Sequence, residues 1–97
     1  MTAELSRNGS RYELAGPPDA RVVVLIHGLG LNRRIWDAHR ARLAQRYRVL
    51  DYDLYGHGES APPPAKPSLN LFSEQLLDLL DELGIEQCAL IGFSLGG

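Results

Sequence analysis

The sequence predicts an α/β fold: three layers, with a mostly parallel sheet between flanking helices. Three observations carry this. Apolar runs of strand length alternate with segments of helical periodicity. The best of these runs, Val22-Val23-Val24-Leu25-Ile26, is apolar on every residue, as a strand buried on both faces must be. Each of the three main runs opens into a glycine-bearing loop. A chain of 97 residues has room for one small domain, so all 97 are read as a single unit.

In chain order, residues 11–14 are expected to form a short strand. Asn8-Gly9 is expected to turn between it and an antiparallel partner. Gly16-Pro17-Pro18-Asp19 is a loop, because adjacent prolines support neither helix nor ladder. After the run at 22–26, Asn32 is expected to cap a helix reaching about residue 45. Trp36, His39 and Leu43 share its inner side with Ile35 beside them, and Arg34, Asp37, Arg40, Arg42 and Arg46 supply its wet side. Residues 47–51 form the next strand. Four prolines between 61 and 67 make an irregular surface segment. Ser68 is expected to cap a second helix over 69–83, with Phe72, Leu76, Leu79, Leu80 and Leu83 as its buried stripe and Gly84 as its stop. A last buried strand, 87–91, contains Cys88, read as a small packed hydrophobe. The three main strands should be parallel and joined by right-handed crossovers.

Charge and composition exclude several classes. There are 10 Lys and Arg against 12 Asp and Glu, mixed along the chain, so no basic face for nucleic acid is expected. No segment reads as a membrane span, a membrane-surface helix or a signal peptide, and a cytoplasmic location is expected. One cysteine allows no intramolecular disulfide. No cofactor and no metal are expected. A dinucleotide fingerprint starting at Gly28 fails because Arg33 occupies its third glycine position, and no phosphate loop ending in Gly-Lys occurs.

Ligands of parallel sheets bind beyond the carboxyl ends of the strands. Three loops gather there: His27-Gly28-Leu29-Gly30, the turn Asp53-x-x-Gly56-x-Gly58-x-Ser60, and Gly92-Phe93-Ser94-Leu95-Gly96-Gly97. A strand breaking into Gly-x-Ser-x-Gly is the pattern of a nucleophile elbow. Its turn is so tight that Gly92 and Gly96 must be small, and Ser94 stands at the tip. A serine hydroxyl needs a base to become a nucleophile, and the oxyanion it generates needs backbone N–H donors. Leu95 N–H directly follows the serine. Leu29 N–H is the expected second donor, on a loop given freedom by Gly28 and Gly30.

With these three motifs the chain resembles the N-terminal part of an α/β-hydrolase-fold serine hydrolase, from about residue 11 to the elbow. The resemblance implies that Ser94 is the nucleophile of an acyl-enzyme mechanism acting on a small-molecule ester, lactone or similar acyl substrate. It also implies that Leu29 and Leu95 form the oxyanion hole. Serine at the elbow separates the chain from related dehalogenases and epoxide hydrolases, which carry aspartate there. Tyr55 stands where many relatives have arginine. The family's order of serine, acid, histidine places both partners of Ser94 beyond Gly97, so the 97 residues by themselves are expected to be inactive. His27 is expected to be structural, His57 a turn residue and Asp53 turn-stabilising; none of them is expected to replace the missing base or acid.

Overall fold

The structure, a computed structural model, describes residues 3–93. Five strands form one sheet: β1 (Glu4–Leu5), β2 (Arg11–Ala15), β3 (Val22–Ile26), β4 (Arg48–Tyr52) and β5 (Ala89–Gly92), in spatial order β1-β2-β4-β3-β5. β3 is parallel to both of its neighbours, β4 and β5. β2 runs antiparallel to β4, and β1 antiparallel to β2. The sheet is thus parallel where helical crossovers connect it and antiparallel at the hairpin that Asn8-Gly9 turns, with Gly9 at φ +86°. Two-residue turns can join only antiparallel strands, whereas β3, β4 and β5 are separated by crossover segments.

Going from β3 to β4 the chain moves toward β2, and going from β4 to β5 it moves back past β3. Such a reversal places the two crossovers on opposite faces. The alternation of side chains shows the result. Val24, Ile26, Leu50 and Tyr52 pack with helix α2 (Leu69–Leu83), through Leu79 and the flanking Phe72, Leu76, Leu80 and Leu83. Val23, Leu25 and Val49 turn the other way, onto Trp36 and Leu43. All of β3 except Val22 is buried, as expected for a strand covered on both faces.

Helix α2 has the predicted bounds. Ser68 Oγ accepts the Leu71 N–H at 3.0 Å, and Gly84, at φ +70°, ends the helix while Ile85 N–H returns to Leu80 O. The first helix differs from expectation. Asn32 does cap it, accepting Arg34 N–H at 2.9 Å, but the segment opens as a 3-10 turn, Arg33–Trp36, and only Asp37–Leu43 is α-helical (α1). Trp36 and Leu43 pack inward as predicted, whereas Ile35 and His39 are exposed; the 3-10 turn shifts the phase of the apolar stripe. The His39 and Trp36 rings stand edge to face, 5.4 Å apart. Arg40, placed on the wet side by periodicity, instead turns toward the sheet and pairs with Asp51 and Glu13.

β5 is the other correction. It was expected to be buried, and it is exposed throughout, because among the described residues it has a strand neighbour on one side only. Cys88 precedes β5 instead of lying within it. It packs partly against the α2 core, and burial raises its thiol pKa.

Candidate active site at the carboxyl edge of the sheet

Residues just beyond the carboxyl ends of β3, β4 and β5 lie together. β3 leads into the α1 layer and its neighbour β4 into the α2 layer, so the chain divides at this edge. His27 fills the division. It is fully buried; its Nε2 accepts the Leu54 N–H at 2.9 Å, and its Nδ1 lies 2.8 Å from Gly28 O. One nitrogen must therefore accept and the other donate, which is the neutral ring with its proton on Nδ1. Burial holds its pKa below the ordinary histidine value, consistent with that neutral form. His27 joins the two loops, with no lone pair left to take a proton from a serine.

The loop after His27 is a turn closed by Leu31 N–H on Gly28 O at 3.1 Å, with Gly30 at φ +80°. A side chain at Gly30 would meet no neighbour, so the requirement for glycine is conformational. Among the described residues the Leu29 N–H has no acceptor, while the Gly30 N–H donates to His57 Nε2 at 3.0 Å.

The Asp53–Ser60 motif is explained by its hydrogen bonds. The Asp53 carboxylate is buried and accepts from Arg33 N–H at 2.7 Å and Glu59 N–H at 2.9 Å. Ser60 Oγ donates to Asp53 O and accepts from Arg11 N–H, which ties the turn to β2. A Cβ at Gly58 would overlap the Asp53 carboxylate, and Gly58 also has a positive φ, so glycine is required there twice over. Asp53 is thus the turn-stabilising residue the sequence suggested, with both oxygens engaged by backbone donors.

Three partners in this region carried no periodic or motif signal. Gln75 is fully buried on α2. Its Oε1 accepts Tyr55 N–H at 2.9 Å, and its Nε2 donates to Ser10 Oγ and Asp53 O. Arg33 is buried and donates to Glu13 at 2.7 Å, with Asp53 and Asp51 close by. Asp51 bonds to Arg40 through Oδ2, while its Oδ1 has no hydrogen-bond partner among the described residues. Burial outweighs the arginines and pushes the Asp51 carboxyl up to about 6. A polar side chain at the end of an apolar strand or on a helix gives no notice in sequence that its partner lies on another element. The one available hint was Arg33, a charge placed directly after the Asn32 cap.

Ser94, Leu95 and Gly96 lie outside the described residues. Gly92 ends β5, paired with Ile26, and Phe93 N–H donates to Ile26 O at 3.0 Å. The residue before Ser94 is therefore fastened to the residue before His27. The elbow sequence and the His27-Gly28-Leu29-Gly30 loop thus start from hydrogen-bonded positions on adjacent parallel strands.

A family model described as alpha/beta hydrolase fold matches residues 21–97. The chain belongs to the α/β-hydrolase-fold family. The hydrolase-fold chain is 46% identical over 89 residues to RutD, named as a proposed carbamate hydrolase, of Stutzerimonas stutzeri strain A1501; the match covers 89% of the chain and 34% of the relative. It is 38% identical over 85 residues to 3-oxoadipate enol-lactonase 1 of Acinetobacter baylyi, covering 88% of the chain and 32% of that protein. Among solved structures it is similar to the naproxen esterase (carboxylesterase NP) of Bacillus subtilis, with a TM-score of 0.84 and 32% identity over 97% of the chain and 34% of that protein. The chain spans about a quarter to a third of the length of the curated relatives it matches. Among the described residues no helix is long and apolar enough to cross a membrane, and no group of His, Cys, Asp and Glu is placed to hold a metal ion.

Proposed function

We propose that this chain carries the nucleophile and both oxyanion-hole donors of a serine hydrolase. Ser94 attacks the carbonyl carbon of an ester, lactone or related acyl substrate to form an acyl-enzyme, and the N–H groups of Leu29 and Leu95 receive the oxyanion. The observation that carries the reading is the Phe93 N–H to Ile26 O bond: it fastens Gly92-Phe93, the start of the Gly-x-Ser-x-Gly sequence, to the strand that leads into a turn whose Leu29 N–H has no acceptor among the described residues. Relatives named as a lactonase, an esterase and a proposed carbamate hydrolase support acyl transfer to water as the reaction class. A cavity of about 500 Å³ beside the loop, lined by Ile26, Leu29, Leu54, Phe72, Leu76 and Leu90, favours an apolar acyl or leaving group.

The base is the part these residues do not supply. His27 and His57 each have both ring nitrogens engaged, and His39 is exposed on α1. The 97 residues alone are therefore expected to turn over no ester. A chain in which these residues are followed by the triad's acid and histidine is expected to hydrolyse a chromogenic short-chain ester, with Ser94→Ala lowering kcat/KM by at least about a thousandfold. Undiminished turnover in the folded Ser94→Ala protein would remove the serine from the mechanism.

A further inference from the structure

Resting on the serine-hydrolase reading, we propose that Gln75, acting through His27, is the positioning residue of the oxyanion donor: it begins a line of hydrogen bonds that ends at the open Leu29 N–H. A trans peptide points its C=O and its N–H in opposite directions, so fixing one fixes the other. The Leu29 N–H belongs to the peptide between Gly28 and Leu29, and its aim is set by whatever holds Gly28 O. Two donors hold that oxygen, Leu31 N–H at 3.1 Å and His27 Nδ1 at 2.8 Å. His27 is itself held, because its Nε2 accepts the Leu54 N–H at 2.9 Å. That N–H belongs to the peptide between Asp53 and Leu54. Its carbonyl, Asp53 O, receives Gln75 Nε2 at 3.0 Å and Ser60 Oγ at 2.6 Å. Gln75 Oε1 also takes the next N–H along, that of Tyr55, at 2.9 Å, so one amide grips the chain on both sides of Leu54. Every donor in the line faces the same way: Gln75 Nε2 to Asp53 O, Leu54 N to His27 Nε2, His27 Nδ1 to Gly28 O. Bonds so aligned polarise one another, and the last donor, Leu29 N–H, is the one left for an oxyanion.

The His27 tautomer decides which of two loops forms. With its proton on Nδ1 the ring supports Gly28 O. With the proton on Nε2, the Nδ1 lone pair would repel that oxygen and accept the Leu29 N–H of the overturned peptide, withdrawing the donor from the site. The same choice exists one step earlier. If the peptide between Asp53 and Leu54 turned over, Asp53 O would face Nε2 and call for a proton there. Gln75 and Ser60 oppose this by holding Asp53 O. Ser60 belongs to the same turn as Asp53, whereas Gln75 stands fully buried on helix α2 and supplies a hold from outside the turn. Its amide orientation is fixed as well, since Tyr55 N–H can only donate and Asp53 O can only accept, and its second N–H goes to Ser10 Oγ at 2.9 Å. A glutamine buried beside the leucines of α2 is costly unless such partners are met, and here each of them lies on another element.

The oxyanion develops only as the carbonyl becomes tetrahedral, so a misaimed donor lowers kcat and leaves substrate binding alone. In a chain where these residues are followed by the triad's acid and histidine, Gln75→Met is expected to lower kcat for a chromogenic ester about ten- to thirtyfold, with KM within about twofold. Gln75→Glu keeps an acceptor for the Tyr55 N–H but, once ionised, has no donor for Asp53 O. It should behave as Gln75→Met, which secures the test if the methionine variant does not fold. His27→Asn, whose Nδ2 can donate to Gly28 O in place of Nδ1, should keep more of the kcat than His27→Phe, which has no donor. Two-bond ¹H–¹⁵N spectra should show His27 as the Nδ1–H tautomer, with the Nε2–H form appearing in Gln75→Met. Suppose the wild type hydrolyses ester and labels at Ser94. If the folded Gln75 variants then keep their kcat, or lose it with the His27 tautomer unchanged, the positioning role is wrong and the hydrolase reading stands. An Nε2–H tautomer at His27 in the wild type would overturn the role whatever the variants do. If the wild type neither turns over ester nor labels, the hydrolase reading fails and the positioning role falls with it.

Discussion

Asp51 and Asp53 show how two carboxylates two positions apart acquire different tasks. Asp53 follows β4, and both its oxygens receive backbone N–H donors. Asp51 lies within β4 on the α1 face; Arg40 reaches one of its oxygens, Arg33 stands 4.0 Å from the other, and Glu13 shares the arginines. Burial, only partly offset by the arginines, raises Asp51 to about 6, above the value near 3.9 of an unfolded aspartate. The sign follows. Between about pH 6 and pH 4 the folded protein binds a proton that the unfolded chain does not, so this group's contribution to stability grows as pH falls through that window and is lost as pH rises past 6. Relative to Asp51→Asn, the wild-type protein should gain on the order of 2 kcal/mol in urea denaturation between pH 7 and pH 4.5. A difference that stays flat, or shrinks as the pH falls, would show that Asp51 stays ionised.

Helix α2 is the element whose sequence and structure agree most closely, because every signal for it is local. A serine caps it, leucines repeat at helical spacing and a glycine in the left-handed region stops it. Ser68→Ala should cost about 1 kcal/mol in the same denaturation experiment, since Leu71 N–H then loses its acceptor; no change would mean that water serves the helix end equally well. The first crossover shows the limit of local signals. Asn32 marked its start correctly, but Arg33 N–H is taken by Asp53, twenty residues away, and the chain begins with a tight turn before becoming α-helical. That bond is invisible to periodicity, and with it went the phase that would have placed Ile35, His39 and Arg40 correctly. β5 was misjudged for a related reason: apolar residues predict a buried strand only when something covers them.

At the scale of the molecule, the order of strands and loops was readable because it depends on patterns the sequence carries in the open: an all-apolar run at β3, glycines at each strand end, and a proline segment before α2. The convergence of His27, Asp53, His57 and the start of the elbow at one edge follows from parallel pairing of β3, β4 and β5. What could not be read was the hydrogen bonding that connects the loops, the Gln75 and His57 bonds above all, since these residues lie far apart in the chain and belong to no pattern. Membership of the α/β-hydrolase-fold family accounts for the architecture, and the proposed chemistry rests on one serine. The most direct test is to treat a chain that carries these residues together with the triad's acid and histidine with a fluorophosphonate probe and map the modified residue by mass spectrometry. The account predicts one adduct, on Ser94, absent from the folded Ser94→Ala protein. A folded, ester-hydrolysing protein that takes up no probe at Ser94 would contradict it.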